Sequence, residues 1–226
     1  MNLLCIDTST NILSLAVSKN EKILKFRNVK LDRPMDKSIM PSIKGILSAC
    51  GLTLTRLDGF AVGLGPGSFT SLRVGLSAVK GMAFAAGKPV IGTSSLDLLA
   101  MNVLGDAQVC TLNDARRHLV YACVYDKKRA VLKRKSEYLL TDIHSVLRQI
   151  KGDVSFIGDG IKLYKEDIKK AKGLAPSFMD GKDAFPQARR LPSLVLDRAR
   201  KDQWDPVDRL VPLYLYPDHC QIRKSK

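Results

Sequence analysis

Histidine and aromatic side chains are scarce in this chain of 226 residues, and two common catalytic signatures are missing altogether. The three histidines, His118, His144 and His219, lie far apart, so no pair has the one-turn spacing with which a helix holds zinc. The five cysteines are an odd number without a C-x-x-C pair, which argues against both a disulfide framework and a zinc knuckle. Cys5, Cys110 and Cys123 sit inside apolar runs, where a thiol behaves as a small hydrophobe. Gly-x-Ser-x-Gly is absent, since Gly67-Ser68-Phe69-Thr70-Ser71 does not complete it, and a serine hydrolase is disfavoured. Aromatic residues make up 6%, too few for an evident base-stacking platform. No segment approaches the ~18 apolar residues of a membrane span. The opening Leu3-Leu4-Cys5 is preceded by no basic residue and stopped by Asp7, so the expectation is no membrane association and a cytoplasmic protein.

What the chain does have is a glycine-bracketed loop, Gly65-Pro66-Gly67-Ser68-Phe69-Thr70-Ser71-Leu72-Arg73-Val74-Gly75, between the apolar strand 59–64 and a helix rich in small residues. Pro66 keeps Gly65 out of the helical region, glycines at 65 and 67 permit positive φ, and Ser68 or Thr70 can cap the helix. Backbone N–H groups at such a helix start face outward, where the dipole favours a phosphate or carboxylate. A tight strand-to-helix turn with no ligand is the alternative reading.

The N-terminal Leu3-Leu4-Cys5-Ile6-Asp7-Thr8-Ser9-Thr10, the glycine loop, Arg73, Lys80-Gly81 and Gly92-Thr93-Ser94-Ser95-Leu96 together resemble the TsaB (YeaZ) family. The resemblance continues through Asn113-Asp114-Ala115-Arg116, Gly158-Asp159-Gly160 and Val211-Pro212-Leu213-Tyr214-Leu215. It implies an α/β protein of two lobes with the actin/Hsp70-like ATPase fold, duplicated mixed-sheet lobes at 1–104 and 105–226, with the last helix or tail returning to the first lobe. It also implies a non-catalytic scaffold or activating subunit. Its partners are a TsaD-like catalytic subunit, which transfers a threonylcarbamoyl group to the adenosine next to the anticodon (position 37) in tRNAs reading ANN codons, and a TsaE-like ATPase that resets the complex. On that reading tRNA is met through the complex, a homodimer forms when the chain is alone, and no cofactor is intrinsic, ATP or ADP lying at the interface with the catalytic subunit. Three departures stand out: Met35-Asp36 where the family commonly has His-Ser, Ser71 where it has glycine, and the tail Tyr214 to Cys220.

Candidate anion-binding or nucleotide-binding residues are Asp7, Thr8, Ser9, Gly65, Gly67, Ser68, Thr70 and Arg73. The competing function is an autonomous ATPase or kinase of the same fold, with Asp7 and the hydroxyls of Thr8 and Ser9 holding magnesium and phosphate. Against it, Asn113-Asp114-Ala115-Arg116-Arg117 offers charge but little phosphate cradle. No residue is assigned to catalysis or to a resident metal.

Apolar residues recur all round the helix after the loop, so it is buried on two sides, by its own lobe or by a second chain. Candidate partner-facing residues are Ile39, Ile43, Ile46 and Leu47 with Leu72, Leu76, Val79, Lys80 and Ala83. Arg73 and Lys80 lie two turns apart on one face, either gripping anions or running their stems along apolar surface into water.

Lysine and arginine outnumber acids 37 to 22, leaving +15. Lys19, Lys22, Lys25, Arg27, Lys30 and Arg33 form one concentration and residues 127–135 another, and such faces suit a polyanion such as tRNA or simply solvent. Periodicity predicts strands at 3–6, 13–17, 23–26, 59–64, 89–92, 108–112, 119–125 and 154–158. It predicts helices at 39–50, 71–86, 94–103, 141–150 and 185–200. Cys5-Ile6-Asp7 and Thr111-Leu112-Asn113-Asp114 each end an apolar strand in a carboxylate, a weak internal echo.

Overall fold

The computed structural model describes residues 1–31, 35–129, 131–179, 181 and 183–216; Arg33, His219 and the tail from Pro217 to Cys220 lie outside them. The first sheet opens with an antiparallel meander, β1 (Asn2–Asp7), β2 (Ile12–Lys19) and β3 (Lys22–Lys30). After α1 (Met35–Ser48), strand β4 (Gly59–Gly63) returns parallel to β1, and after α2 (Phe69–Ala86), strand β5 (Val90–Thr93) lies parallel to β4. The sheet order is β3-β2-β1-β4-β5. Helix α1 stops as its sequence directs, with Gly51 at φ 63° and the Leu52 N–H bonded to the Leu47 carbonyl.

A short helix α3 (Ser95–Ala100), its start capped by the Ser94 hydroxyl, leads into the second sheet. There β6 (Ala107–Arg116), β7 (Leu119–Lys128) and β8 (Val131–Arg134) form the meander, with β9 (Leu139–Thr141) also paired to β7. Helix α4 (Ile143–Leu147) precedes β10 (Gly152–Ile157), and α5 (Ile161–Lys170) precedes β11 (Leu174–Met179). The order β8-β7-β6-β10-β11 repeats that of the first sheet, with the same antiparallel and parallel pairings. These duplicated mixed sheets are the actin/Hsp70-like fold the resemblance implied, and the two carboxylate-ended strands, β1 and β6, occupy equivalent central positions.

Strands buried on both faces read as continuous apolar runs. In β1, Leu4 and Ile6 pack beneath α1 and α2, whereas Leu3 and Cys5 face the last helix, α6 (Leu191–Arg200), through Leu191, Val195 and Leu196. Helix α3 is shared: Leu98 joins the cluster with α6, while Leu96 and Leu99 pack on Val109, Cys123 and Tyr125 of the second sheet. Its Asp97 carboxylate accepts hydrogen bonds from the hydroxyls of Thr93, Tyr125 and Tyr138, a polar tie between the lobes. Burial raises the Tyr125 hydroxyl well above its ordinary pKa, so it remains a donor.

The sequence pattern missed α5 and β11. Ile161 and Ile168 are the only buried residues of α5, where Leu163 is exposed, Tyr164 is half-buried and the rest are lysine and acid, and β11 has no fully buried side chain. Burial pushes the Cys5 thiol up to about 12, and Cys110 and Cys123 are likewise buried, as small hydrophobes are. Among the described residues no helix is long and apolar enough to cross a membrane.

Candidate functional site

The glycine loop lies where the ends of β1 and β4 meet the start of α2, and the chain's own N-terminal turn fills it. Asp7 is fully buried; its Oδ1 accepts the Ser9 N–H at 2.9 Å and the Ser9 hydroxyl at 2.7 Å, and its Oδ2 accepts the Ser95 hydroxyl at 2.6 Å. Ser95 Oγ in turn accepts the Gly65 N–H at 2.9 Å, so the carboxylate is linked to the loop. The Ser68 N–H donates to the Ser9 carbonyl at 2.8 Å. Two of the N–H groups expected to face an anion are therefore already used.

The glycines follow from this arrangement. Gly65 has φ 93°, as expected, and is joined to Pro66 by a cis peptide bond. Gly67 does not have positive φ; it is glycine because a Cβ there would overlap the Ser9 carbonyl. A Cβ on Gly63 would overlap Asp7 Oδ2, and one on Gly75 would overlap the Thr8 hydroxyl. The predicted cap is also corrected: Ser68 occupies the N-cap position of α2, yet its hydroxyl donates to Ser71 Oγ at 3.0 Å and makes no cap bond. Thr70 is exposed in the first turn. The first-turn N–H groups of α2 beyond Ser68 thus have neither an intrahelical nor a capping partner.

Desolvation raises the Asp7 pKa above its ordinary 3.8, and the hydrogen bonds from Ser95 and Ser9 oppose it. A carboxyl whose folded pKa exceeds its unfolded one binds more protons when folded, so its contribution is fully present below about 3.8 and is lost as pH rises through the folded pKa. Melting temperatures measured across pH for the parent and Asp7→Asn are expected to show a decline above pH ~4 in the parent that the variant lacks. Parallel pH profiles in the two proteins would show that Asp7 carries no such linkage.

Arg73 is not aimed at the loop. Its guanidinium lies 3.7 Å from the Phe69 ring centroid, and its Nε donates to the Tyr214 hydroxyl at 2.8 Å. Tyr214 belongs to a strap, residues 210–216, that crosses the interlobe cleft: the Leu213 N–H bonds the Leu64 carbonyl in the first lobe and the Tyr216 hydroxyl bonds the Ala115 carbonyl in the second. The cleft, about 510 Å³, has Ser9, Gly67 and Ser71 on one wall and Asn113, Asp114 and Asp159 on the other. The second wall repeats the first: the Asp114 carboxylate accepts the Arg116 N–H at 2.8 Å as Asp7 accepts that of Ser9, and a Cβ on Gly158 would overlap the Leu112 carbonyl. Asp114 is also ion-paired to Arg116 at 3.2 Å. Sequence reasoning missed Ser95 as the partner of Asp7 and Tyr214 as the partner of Arg73, 88 and 141 residues away, and no local pattern signals either.

This geometry has relatives. The family described as TsaD, tRNA N6-adenosine threonylcarbamoyltransferase, matches residues 30–187. The chain is 28% identical over 219 residues to the tRNA threonylcarbamoyladenosine biosynthesis protein TsaB of Bacillus subtilis, covering 95% of this chain and 94% of that one. The Escherichia coli protein of the same description is 28% identical over 228 residues, with the same coverage. The solved structure of YeaZ from Pseudomonas aeruginosa superposes with a TM-score of 0.81 at 26% identity, covering 95% of this chain and 99% of that one. This chain belongs to the TsaB (YeaZ) branch of that family.

For a TsaB-family chain the helices α1 and α2 carry a correction. Ile39, Ile43, Ile46, Leu47, Leu76, Val79 and Ala83, expected to face a partner, are buried with β1, β2 and β4 in the lobe's own core, and Leu72 is buried against Gly65. The large apolar groups these helices present to solvent are different ones, Met40 at 46%, Phe69 at 42% and Phe84 at 90% exposure. Lys80 donates to the Asp208 carbonyl at 3.3 Å, reaching the segment that leads into the strap.

Proposed function

We propose that this chain is a non-catalytic scaffold and activating subunit in tRNA threonylcarbamoyladenosine biosynthesis. In this reading a TsaD-like subunit transfers the threonylcarbamoyl group to the adenosine beside the anticodon, a TsaE-like ATPase resets the complex, and both work in the cytoplasm. The observation that carries it is Asp7. The carboxylate that would hold magnesium in a kinase of this fold is buried with both oxygens engaged by Ser9 and Ser95, so it serves as a staple between strand, loop and α3. The opposite wall presents Asp159 and an Asp114 ion-paired to Arg116, with no glycine-rich phosphate cradle. These features support a nucleotide, ATP or ADP, held at the interface with the catalytic subunit over one intrinsic to this chain. The exposed apolar groups of α1 and α2 supply a contact face, for the TsaD-like subunit in the complex and for a second copy when the chain is alone.

The test is reconstitution of tRNA threonylcarbamoylation with the TsaD-like and TsaE-like proteins of the same organism. Modification that appears only when this chain is added, together with no ATP hydrolysis by the chain alone, is the expected result. ATP hydrolysis by the isolated chain that disappears in Asp7→Asn would establish the autonomous ATPase instead.

A further inference from the structure

Helices α4 and α5 end side by side on the outer face of the second sheet, and the Gly152 N–H bonds the Gly173 carbonyl at 2.8 Å, tying the turns that follow them. Between them runs a groove of about 690 Å³ lined by His144, Arg148, Lys151, Lys170 and Lys172, with Asp167 the one acid along it. All five basic side chains are exposed. The side chains of Lys151, Lys170 and Lys172 make no hydrogen bond or ion pair among the described residues, Lys170 feeling Glu166 only at longer range. Two helix C-termini attract a cation each, which leaves most of this charge without a local structural reason. Unpaired like charges on two converging elements repel one another, and a polyanion laid between them removes that repulsion while releasing its own counterions.

We propose that the α4–α5 groove seats the phosphodiester backbone of RNA. This rests on the reading of a protein that works on tRNA, and it adds the surface on which this subunit itself touches it. Lysine and arginine tips with no aromatic side chain among them grip backbone without reading bases, so binding is insensitive to sequence and sensitive to salt.

The experiment titrates the full-length chain with a fluorescently labelled tRNA transcript, following anisotropy at several salt concentrations. The triple variant Lys151→Glu, Lys170→Glu, Lys172→Glu is compared with a charge-matched control on β3, Lys22→Glu, Lys25→Glu, Lys30→Glu. The expected result is a tenfold or greater loss of affinity in the groove variant at unchanged melting temperature. The slope of log affinity against log salt should shrink by about 2 to 3, and the control should lose much less. Unchanged RNA affinity in the groove variant overturns the assignment, and so does an equal loss in both variants, which would mark a diffuse electrostatic field. A groove-dependent affinity in a chain that fails to support modification would keep this inference and sink the proposed function.

Discussion

Gly67→Ala is expected to destabilise the protein by about 3 kcal/mol, lowering its melting temperature by about 6–12 °C. The added methyl would overlap the carbonyl of Ser9, a backbone atom that cannot swing aside as a flexible side chain would. That carbonyl accepts the Ser68 N–H, so displacing it also breaks the bond joining the first turn of the chain to the α2 start. Movement there spreads to Asp7, whose oxygens are held by Ser9 and Ser95. A control with the same change lies on α2 itself: at Gly81 a Cβ meets nothing within 4 Å, and Gly81→Ala is expected to stabilise by about 0.5–1 kcal/mol. Thermal melts of the two variants should therefore move in opposite directions. If Gly67→Ala melts within a degree of the parent, the loop is not packed as described.

The second large effect is on assembly. Phe84→Glu is expected to weaken binding to the TsaD-like subunit at least thirtyfold while leaving the melting temperature within about 2 °C, because Phe84 is 90% exposed and contributes little to the lobe's own core. Leu76→Glu, one turn pair earlier on the same helix, is expected to fail differently. Leu76 is buried in the core under α1 and α2, so a carboxylate there lowers stability before binding can be measured. Calorimetric titration of each folded variant with the catalytic subunit separates the two, and undiminished binding by Phe84→Glu would show that the exposed face of α2 is not the contact.

What could be read in advance was local. The apolar runs of β1 and β2, the loop at Gly65 and the stop at Gly51 are written in neighbouring residues, and the duplicated carboxylates of β1 and β6 hinted at repeated lobes. A helix apolar nearly all round announces burial without saying what buries it, which is why the residues of α1 and α2 assigned to a partner prove to pack on their own sheet. The loop signalled an anion site through glycines and hydroxyls. Those same features serve to admit the chain's own Thr8 and Ser9, because close backbone approach needs glycine as much as a phosphate does. Arg73 looked like an anion ligand until Tyr214, from the far end of the chain, supplied its partner. Helix α5 escaped notice because it buries only two residues and six of its ten are charged.

The packing of α6 on the first sheet bears on how the protein emerges from the ribosome. Leu3, Cys5, Ala16, Ala61 and Ile91 are all made before residue 100, yet the Leu191, Val195 and Leu196 that cover them come about a hundred residues later. At typical synthesis rates that interval lasts roughly 5 to 20 s. For that time the nascent chain carries a completed half-core with one naked apolar face, so the window in which a chaperone must shield it, or in which two nascent chains can stick, is set by the position of α6 in the message.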